Sequence, residues 1–106
     1  MKEEEFKELE KKYYAELKRR NEINFMKNQI EEVDAMLEHG FKEDGYTSID
    51  EMAIVINKTI DWDGRGGHSS ENYKIVFESK EMLKELLLVY KKHLQEKLEE
   101  LIKEEN

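Results

Sequence analysis

The residues whose types could do chemistry are concentrated in one glycine-rich segment, residues 61–71. Its possible metal ligands are two aspartates, a histidine and a glutamate: Asp61, Asp63, His68 and Glu71. A calcium loop is not predicted, because Gly64 follows the second acid too early and no glutamate fits the twelfth position. A hydrolase triad is not predicted either, because triad members are held by separate rigid elements and these residues share one loop. We therefore expect no metal site, no catalytic set and no cofactor.

The same loop has the residue types of a recognition site. Arg65 among three glycines can present a guanidinium and backbone amides to an anion, although the phosphate-loop pattern GxxxxGK[ST] is missing. Aromatic residues flank the loop and suit contacts with a partner. The predicted partner-binding or ligand-binding residues are Trp62, Arg65, His68 and Tyr73. Glycines give the loop little rigidity of its own, so Trp62 and Tyr73 are expected to anchor the hairpin to the helices.

A second candidate surface is the basic cluster near the N-terminus. Its members are Lys11, Lys12, Lys18, Arg19 and Arg20. Two tyrosines are interleaved with these cations, an arrangement that could contact nucleic acid or an acidic partner. Glutamates at neighbouring and i,i+4 positions favour an ordinary solvated helix face.

Two long helices must position these residues. The chain has 106 residues, of which 42% are charged and 38% hydrophobic, a composition typical of long helices in one small domain. Apolar spacing predicts helices over residues 2–39 and 79–105, with Ser79 as N-cap of the second. Gly40 is predicted to end the first helix in the left-handed conformation.

The apolar stripes of these helices predict self-association. The first helix has 3,4-spaced residues between Ile23 and Leu37, which resembles a coiled-coil seam, and the second has a narrow stripe from Leu94 to Leu101. Helices this long cannot bury their stripes within one small body, so we expect partly antiparallel packing and a homodimer.

The middle of the chain, residues 48–78, predicts a β-hairpin preceded by a short element. Ser48 and Glu51 fit a capping box, which favours a helix over 49–57, although residues 53–56 also suit a buried strand. We expect a strand over 59–63 and a second strand around Tyr73–Phe77, joined by the glycine loop. The predicted fold class is therefore α+β.

Charge and cysteine content limit the classes of function that the chain can have. The net charge is −8 and residues 40–79 hold four cations against eight acids, so non-specific nucleic-acid binding is not expected. The chain has no cysteine, no apolar run of membrane-spanning length and an acidic start unlike a signal peptide, which predicts a cytoplasmic protein without membrane contact.

These observations favour a non-enzymatic protein-binding module. An acidic surface suits a basic partner, such as the working face of a nucleic-acid-handling host protein, and a small inhibitor or adaptor of phage or mobile-element type fits the composition. The alternative is a small-ligand protein that uses the 61–71 loop to hold a nucleotide or phosphate at an oligomer interface.

Overall fold

The chain folds as two long helices that bracket a β-hairpin. The computed structural model describes residues 2–61 and 66–104. Helix α1 (Glu3–Ala35) continues into one π-helical turn (Met36–Gly40), strands β1 (Ala53–Asp61) and β2 (His68–Val76) form an antiparallel pair, and helix α2 (Lys80–Lys103) follows. The α+β prediction is confirmed.

The two helices lie side by side and run in opposite directions. Lys91 Nζ lies 2.6 Å from Asp34 Oδ1, and the C-terminal end of α2 lies beside the first half of α1, where Leu101 and Arg19 line one hollow. From Lys91, α2 continues for twelve residues, which corresponds to about Glu22 on an antiparallel neighbour with the same 1.5 Å rise. The start of α1 therefore extends beyond the end of α2.

The helix pair contains what little core the protein has. Among the described residues, the buried hydrophobic side chains are Ile23, Val33 and Leu94, all from α1 or α2. Half-buried residues with 3,4 spacing, including Met26 and Ile30, complete the α2-facing stripe of α1. The predicted seam therefore packs against α2 of its own chain, and supercoiling of the pair is not shown.

The apolar stripe of α1 changes face near its middle. With 100° per residue, Phe6, Leu9, Tyr13 and Leu17 point about 120° away from the direction of the α2-facing stripe. All four side chains are exposed. We call residues 3–20 the N-terminal arm and these four residues the arm stripe.

The predicted end of the first helix is correct in position and wrong in conformation. The π-helical turn ends at Gly40, but the positive φ values among the described residues are confined to Gly66. The next residue, Phe41, has φ −96° and ψ −1°, so the chain leaves the helix through right-handed geometry. The wider π-helical turn performs the termination that a left-handed glycine was expected to provide.

The helix predicted over residues 49–57 is wrong, because this segment contributes to strand β1. Ala53 pairs with Val76, Ile56 with Tyr73 and Asp61 with His68. Ser48 and Glu51 form no capping box; instead, Glu51 Oε1 accepts a 2.5 Å ion-pair contact from Lys74 of β2. Nine cross-strand pairs satisfy backbone groups that a short exposed helix would leave open.

The base of the hairpin is fixed by the connection that precedes it. Asp44 Oδ1 accepts backbone hydrogen bonds from Tyr46 at 2.8 Å and Thr47 at 2.9 Å, which closes a turn. Glu43 pairs with Lys80 at the start of α2, and Phe77 N donates to Met52 O at 2.7 Å. The Glu43–Lys80 pair links the connection to α2, and the Phe77–Met52 bond joins the two ends of the hairpin to each other.

Beyond its base, the hairpin projects from the helices. The two strands contact each other extensively and the helices very little, and most strand residues are exposed. Tyr73 lies in the middle of β2 with an exposed ring, so the expectation that it anchors the hairpin to the helices is wrong. Trp62, the other expected anchor, lies outside the described residues.

The result is an extended molecule with a large surface. A folded monomer of 12.8 kDa exposes about 6,300 Å², whereas this chain exposes 9413 Å². The Cα radius of gyration is 20.3 Å, against about 13 Å for a compact domain of this length. Large hydrophobic side chains contribute to the surplus of roughly 3,100 Å², since twenty of them are exposed among residues 2–61 and 66–104.

Candidate protein-binding surface

The residues predicted to form a recognition site do not lie together. Trp62 and Arg65 fall outside the described residues. His68 is opposite Asp61 in the sheet and Tyr73 is opposite Ile56, so the two side chains project from opposite faces of the hairpin. His68 and Tyr73 are also five positions apart along β2, a distance of about 17 Å. The structure therefore does not unite His68 and Tyr73 in one pocket.

The polar groups of these two residues bond to near neighbours. His68 Nδ1 lies 3.0 Å from Gly66 O, and because a carbonyl only accepts, this ring nitrogen is the donor. Tyr73 Oη donates to Glu71 Oε2 at 2.7 Å. This bond to a carboxylate raises the pKa of the Tyr73 hydroxyl above its usual value. Neither arrangement prepares a nucleophile or a general base.

The described residues also contain no metal-binding cluster. Within 2–61 and 66–104, no three carboxylate or imidazole side chains come together as ligands. Of the acids that were possible metal ligands, Asp61 and Glu71 are described, and the strand register places them on opposite faces of the hairpin. Asp63, the third acid, lies outside the described residues.

The basic cluster lies entirely on the N-terminal arm. Lys11, Lys12, Lys18 and Arg20 are exposed, and Arg19 is half-buried. Lys12, Lys18 and Arg19 line an open hollow of about 780 Å³ where α2 ends. Glutamates from both helices share this hollow, so its charge is mixed rather than uniformly basic.

The strand register creates a surface that sequence reasoning missed. Directly opposed residues of an antiparallel pair share a face, so Ile54 and Ile75 lie beside Ile56 and Tyr73 on one side of the hairpin. Their exposed fractions lie between 41% and 67%. We call these four residues the apolar hairpin face. The period-two pattern of Ile54, Ile56, Tyr73 and Ile75 could have revealed it once β1 was assigned as a strand.

The opposite side of the hairpin is mainly polar. There Asn57 is paired with Asn72, Thr59 with Ser70, and Val55 with Lys74. The side with the apolar hairpin face is the more apolar of the two, although it also carries the Lys58–Glu71 pair and the opposite side also carries Ala53 and Val76. Within the described part of the chain, no element covers the apolar side beyond its base.

The apolar hairpin face leads into a cleft at the hairpin base. This cleft has a volume of about 420 Å³. Its lining includes Met36, Phe41, Met52, Ile54, Leu87 and Tyr90. Ile54 belongs to both features, so cleft and face form one continuous apolar surface. Among the described residues of the lining, Glu51 is the one that carries a charge, so these residues do not provide the converging polar groups of a catalytic pocket.

Electrostatic contacts stiffen the connection that carries this surface. Hydrogen bonds from Lys80 and from the Ile49 amide, with the Lys80 charge, hold the pKa of Glu43 below its usual value. Backbone hydrogen bonds from Tyr46 and Thr47 lower the pKa of Asp44 in the same way. Both carboxylates are therefore ionised at neutral pH, where they hold the turn and its link to α2.

Comparisons with known proteins identify no relative. No family model, curated protein sequence or solved structure matches this chain. Across residues 2–61 and 66–104, neither helix has the combination of length and hydropathy that a membrane crossing requires.

Proposed function

We propose that the chain is a non-enzymatic protein-binding module that acts as an inhibitor or adaptor. The helix pair is its scaffold and the apolar hairpin face is its recognition surface. The observation that carries the proposal is the register of the hairpin, which places Ile54, Ile56, Tyr73 and Ile75 side by side and exposed on a projecting element. Contiguous apolar surface of this kind marks protein interaction sites.

The area of the apolar hairpin face determines whether it can hold a partner without help from neighbouring surfaces. Covering four half-exposed side chains stabilises a complex by roughly 3–6 kcal/mol, whereas association costs roughly 4–15 kcal/mol. The face alone therefore supports weak binding. The adjoining cleft supplies the additional area, and the outer edges of β1 and β2 offer backbone groups to a strand of the partner.

The charge around the hairpin favours a partner with a basic rim. Residues 48–79 hold six acids and three cations, a net charge of −3. An apolar contact surrounded by lysine and arginine would complement this region, and proteins that handle nucleic acids carry such faces. Association should accordingly slow as ionic strength rises, while the apolar contact persists.

Site-specific photo-crosslinking tests the proposal directly. A benzophenone amino acid replaces either Tyr73 or Asn72, which are adjacent, exposed and on opposite sides of β2. We expect a discrete protein adduct in host lysate from position 73 and none from position 72. Adducts from both positions, or from position 72 alone, would show that the apolar hairpin face is not the recognition surface.

A further inference from the structure

The N-terminal arm has its own uncovered apolar surface, separate from the hairpin. The exposed fractions of Phe6, Leu9, Tyr13 and Leu17 lie between 40% and 61%. The arm stripe lies about 120° around α1 from the α2-facing stripe, and only its Leu9 and Tyr13 border the open hollow at the end of α2. In proteins most helix stability comes from packing of an apolar face, so a partner that buries the arm stripe would stabilise the arm.

The charges of the arm indicate which molecule packs on the arm stripe. Residues 3–10 contain five glutamates and one lysine, a net charge of −4. Residues 11–20 contain five cations and one glutamate, a net charge of +4. The arm is therefore divided into an acidic half and a basic half of equal magnitude, which is the property of a self-complementary antiparallel pair.

We infer that the arm binds the arm of a second copy of this chain in antiparallel orientation. A two-fold axis between residues 11 and 12 places Phe6 opposite Leu17 of the second copy and Leu9 next to its Tyr13. The same register places the acidic half of each arm against the basic half of the other. In a parallel pair, the two acidic halves would face each other and so would the two basic halves, which would be repulsive along the whole arm.

The arm is long enough for a helix–helix contact, since it spans 18 residues, or about 27 Å. Its four exposed apolar side chains form part of the roughly 3,100 Å² that the chain exposes beyond a compact monomer. Charges within a Debye length of about 8 Å add to the attraction, so the dimer should weaken with salt.

The proposed pairing of two arms gives a function to the basic cluster that was noted in the sequence. Lys11, Lys12, Lys18, Arg19 and Arg20 make up the cations of the basic half. In the antiparallel pair the helices continue in opposite directions from the shared arms, so the two hairpins lie at opposite ends of the dimer. The inference stands on the arm alone and does not depend on the hairpin binding a partner.

A charge-exchange experiment tests orientation and partner together. Variant A adds three lysines to the acidic half, through Glu3→Lys, Glu5→Lys and Glu10→Lys. Variant B adds three glutamates to the basic half, through Lys12→Glu, Lys18→Glu and Arg20→Glu. The halves of variant A then carry +2 and +4 and those of variant B −4 and −2, so like charges face each other in either homodimer.

The expected results are specific. Sedimentation equilibrium from about 1 to 500 μM should show wild-type dimer with micromolar affinity, as small interfaces give. Variants A and B should each be monomers over this range, and their equimolar mixture should recover the dimer. Circular dichroism should show unchanged helix content in the mixture relative to wild type.

A single apolar substitution supplies an independent test. Leu9→Asp should weaken the wild-type dimer by about tenfold or more, whereas Val89→Asp, at an exposed site on α2, should leave it within about twofold. The inference is overturned if the wild type is monomeric at 500 μM, if the mixture of A and B does not dimerise, or if Val89→Asp has the larger effect.

Discussion

At the scale of single residues, the molecule depends on very few buried side chains. Leu94 has an exposed fraction of 4% and lies in the helix pair with Ile23 and Val33. A domain of this size has a stability of only roughly 5–15 kcal/mol, so each of these contacts is a large share of the total. The exposed apolar residues contribute little until a partner covers them.

Truncation of Leu94 should therefore be severe. We expect Leu94→Ala to lower the free energy of unfolding by about 2–4 kcal/mol, because it removes buried methyl groups and leaves a cavity. Leu88→Ala, on the same helix at 54% exposure, should change it by less than about 0.5 kcal/mol. Urea unfolding followed by circular dichroism measures both values. Equal losses would contradict the position assigned to the core.

The composition of the sequence selects candidate residues, but it does not show how they are arranged. The 61–71 loop was selected because glycines and polar groups concentrate there, but Trp62 and Arg65 are outside the described residues and His68 and Tyr73 lie on opposite faces. Their binding roles stay predictions. Which residues share a face depends on strand register, and register follows from the assignment of β1, which local pattern alone did not decide.

At the scale of elements, the helices were predictable and the short segment between them was not. Residues 2–39 and 79–105 agree with α1 plus its π-helical turn and with α2 to within two residues. Long 3,4 spacing is a strong signal, whereas residues 49–57 fit a capped helix and a strand equally well. Pairing with β2, a contact distant in sequence, decided the outcome.

The predicted N-cap of α2 is confirmed and can be tested for its contribution. Ser79 Oγ accepts from Met82 N at 3.2 Å. Ser79→Ala should lower stability by about 1 kcal/mol, or roughly 4–8 °C in melting temperature. Ser79→Asp keeps an acceptor and adds favourable charge at the helix start, so it should melt close to wild type. A Ser79→Asp loss as large as that of Ser79→Ala would rule out the cap as the cause.

The connection between α1 and the hairpin should be sensitive to acid. The lowered pKa of Glu43 means that its ion pair with Lys80 stabilises the fold above the unfolded-state pKa of about 4.3. That contribution disappears as the pH falls through the lower folded-state pKa. Glu43→Gln should therefore melt below wild type at pH 6, and the difference should shrink towards zero as the pH falls below the lowered folded-state pKa.

A Lys80→Ala background provides the control for this titration. Without the lysine, Glu43→Gln should have a much smaller effect on the melting temperature at pH 6, because the largest cause of the pKa shift is gone. A difference between Glu43→Gln and wild type that grows on acidification would contradict the assignment.

At the scale of the whole molecule, the main property is a solvent-accessible surface much larger than that of a compact monomer of the same mass. The expectation of a dimer came from the Ile23–Leu37 seam and the Leu94–Leu101 stripe, but these two stripes pack against each other within one chain. Self-association is instead proposed through the arm, whose stripe lies on another face of α1. The sequence contains both the Ile23–Leu37 seam and the arm stripe. Only the tertiary structure shows where α2 ends along α1, and therefore which of the two stripes α2 covers.

The excess surface leaves room for the two binding surfaces that we propose on one small chain. The arm and the apolar hairpin face lie towards different ends of the elongated body, whose longest dimension is 68 Å. Each presents apolar side chains that the helix pair leaves open to solvent. A dimer formed through the arms would present two hairpins and could bind a repeated or dimeric partner with avidity.

The affinity of the partner captured at Tyr73 for two hairpin variants tests the central claim most directly. Ile56→Asp changes the apolar hairpin face, and Val55→Asp changes the adjacent residue on the other side, where the new carboxylate faces Lys74. By isothermal titration calorimetry, Ile56→Asp should raise the Kd by about tenfold or more and Val55→Asp by less than about twofold. Unchanged affinity for Ile56→Asp, or a greater loss for Val55→Asp, would contradict recognition through the apolar hairpin face.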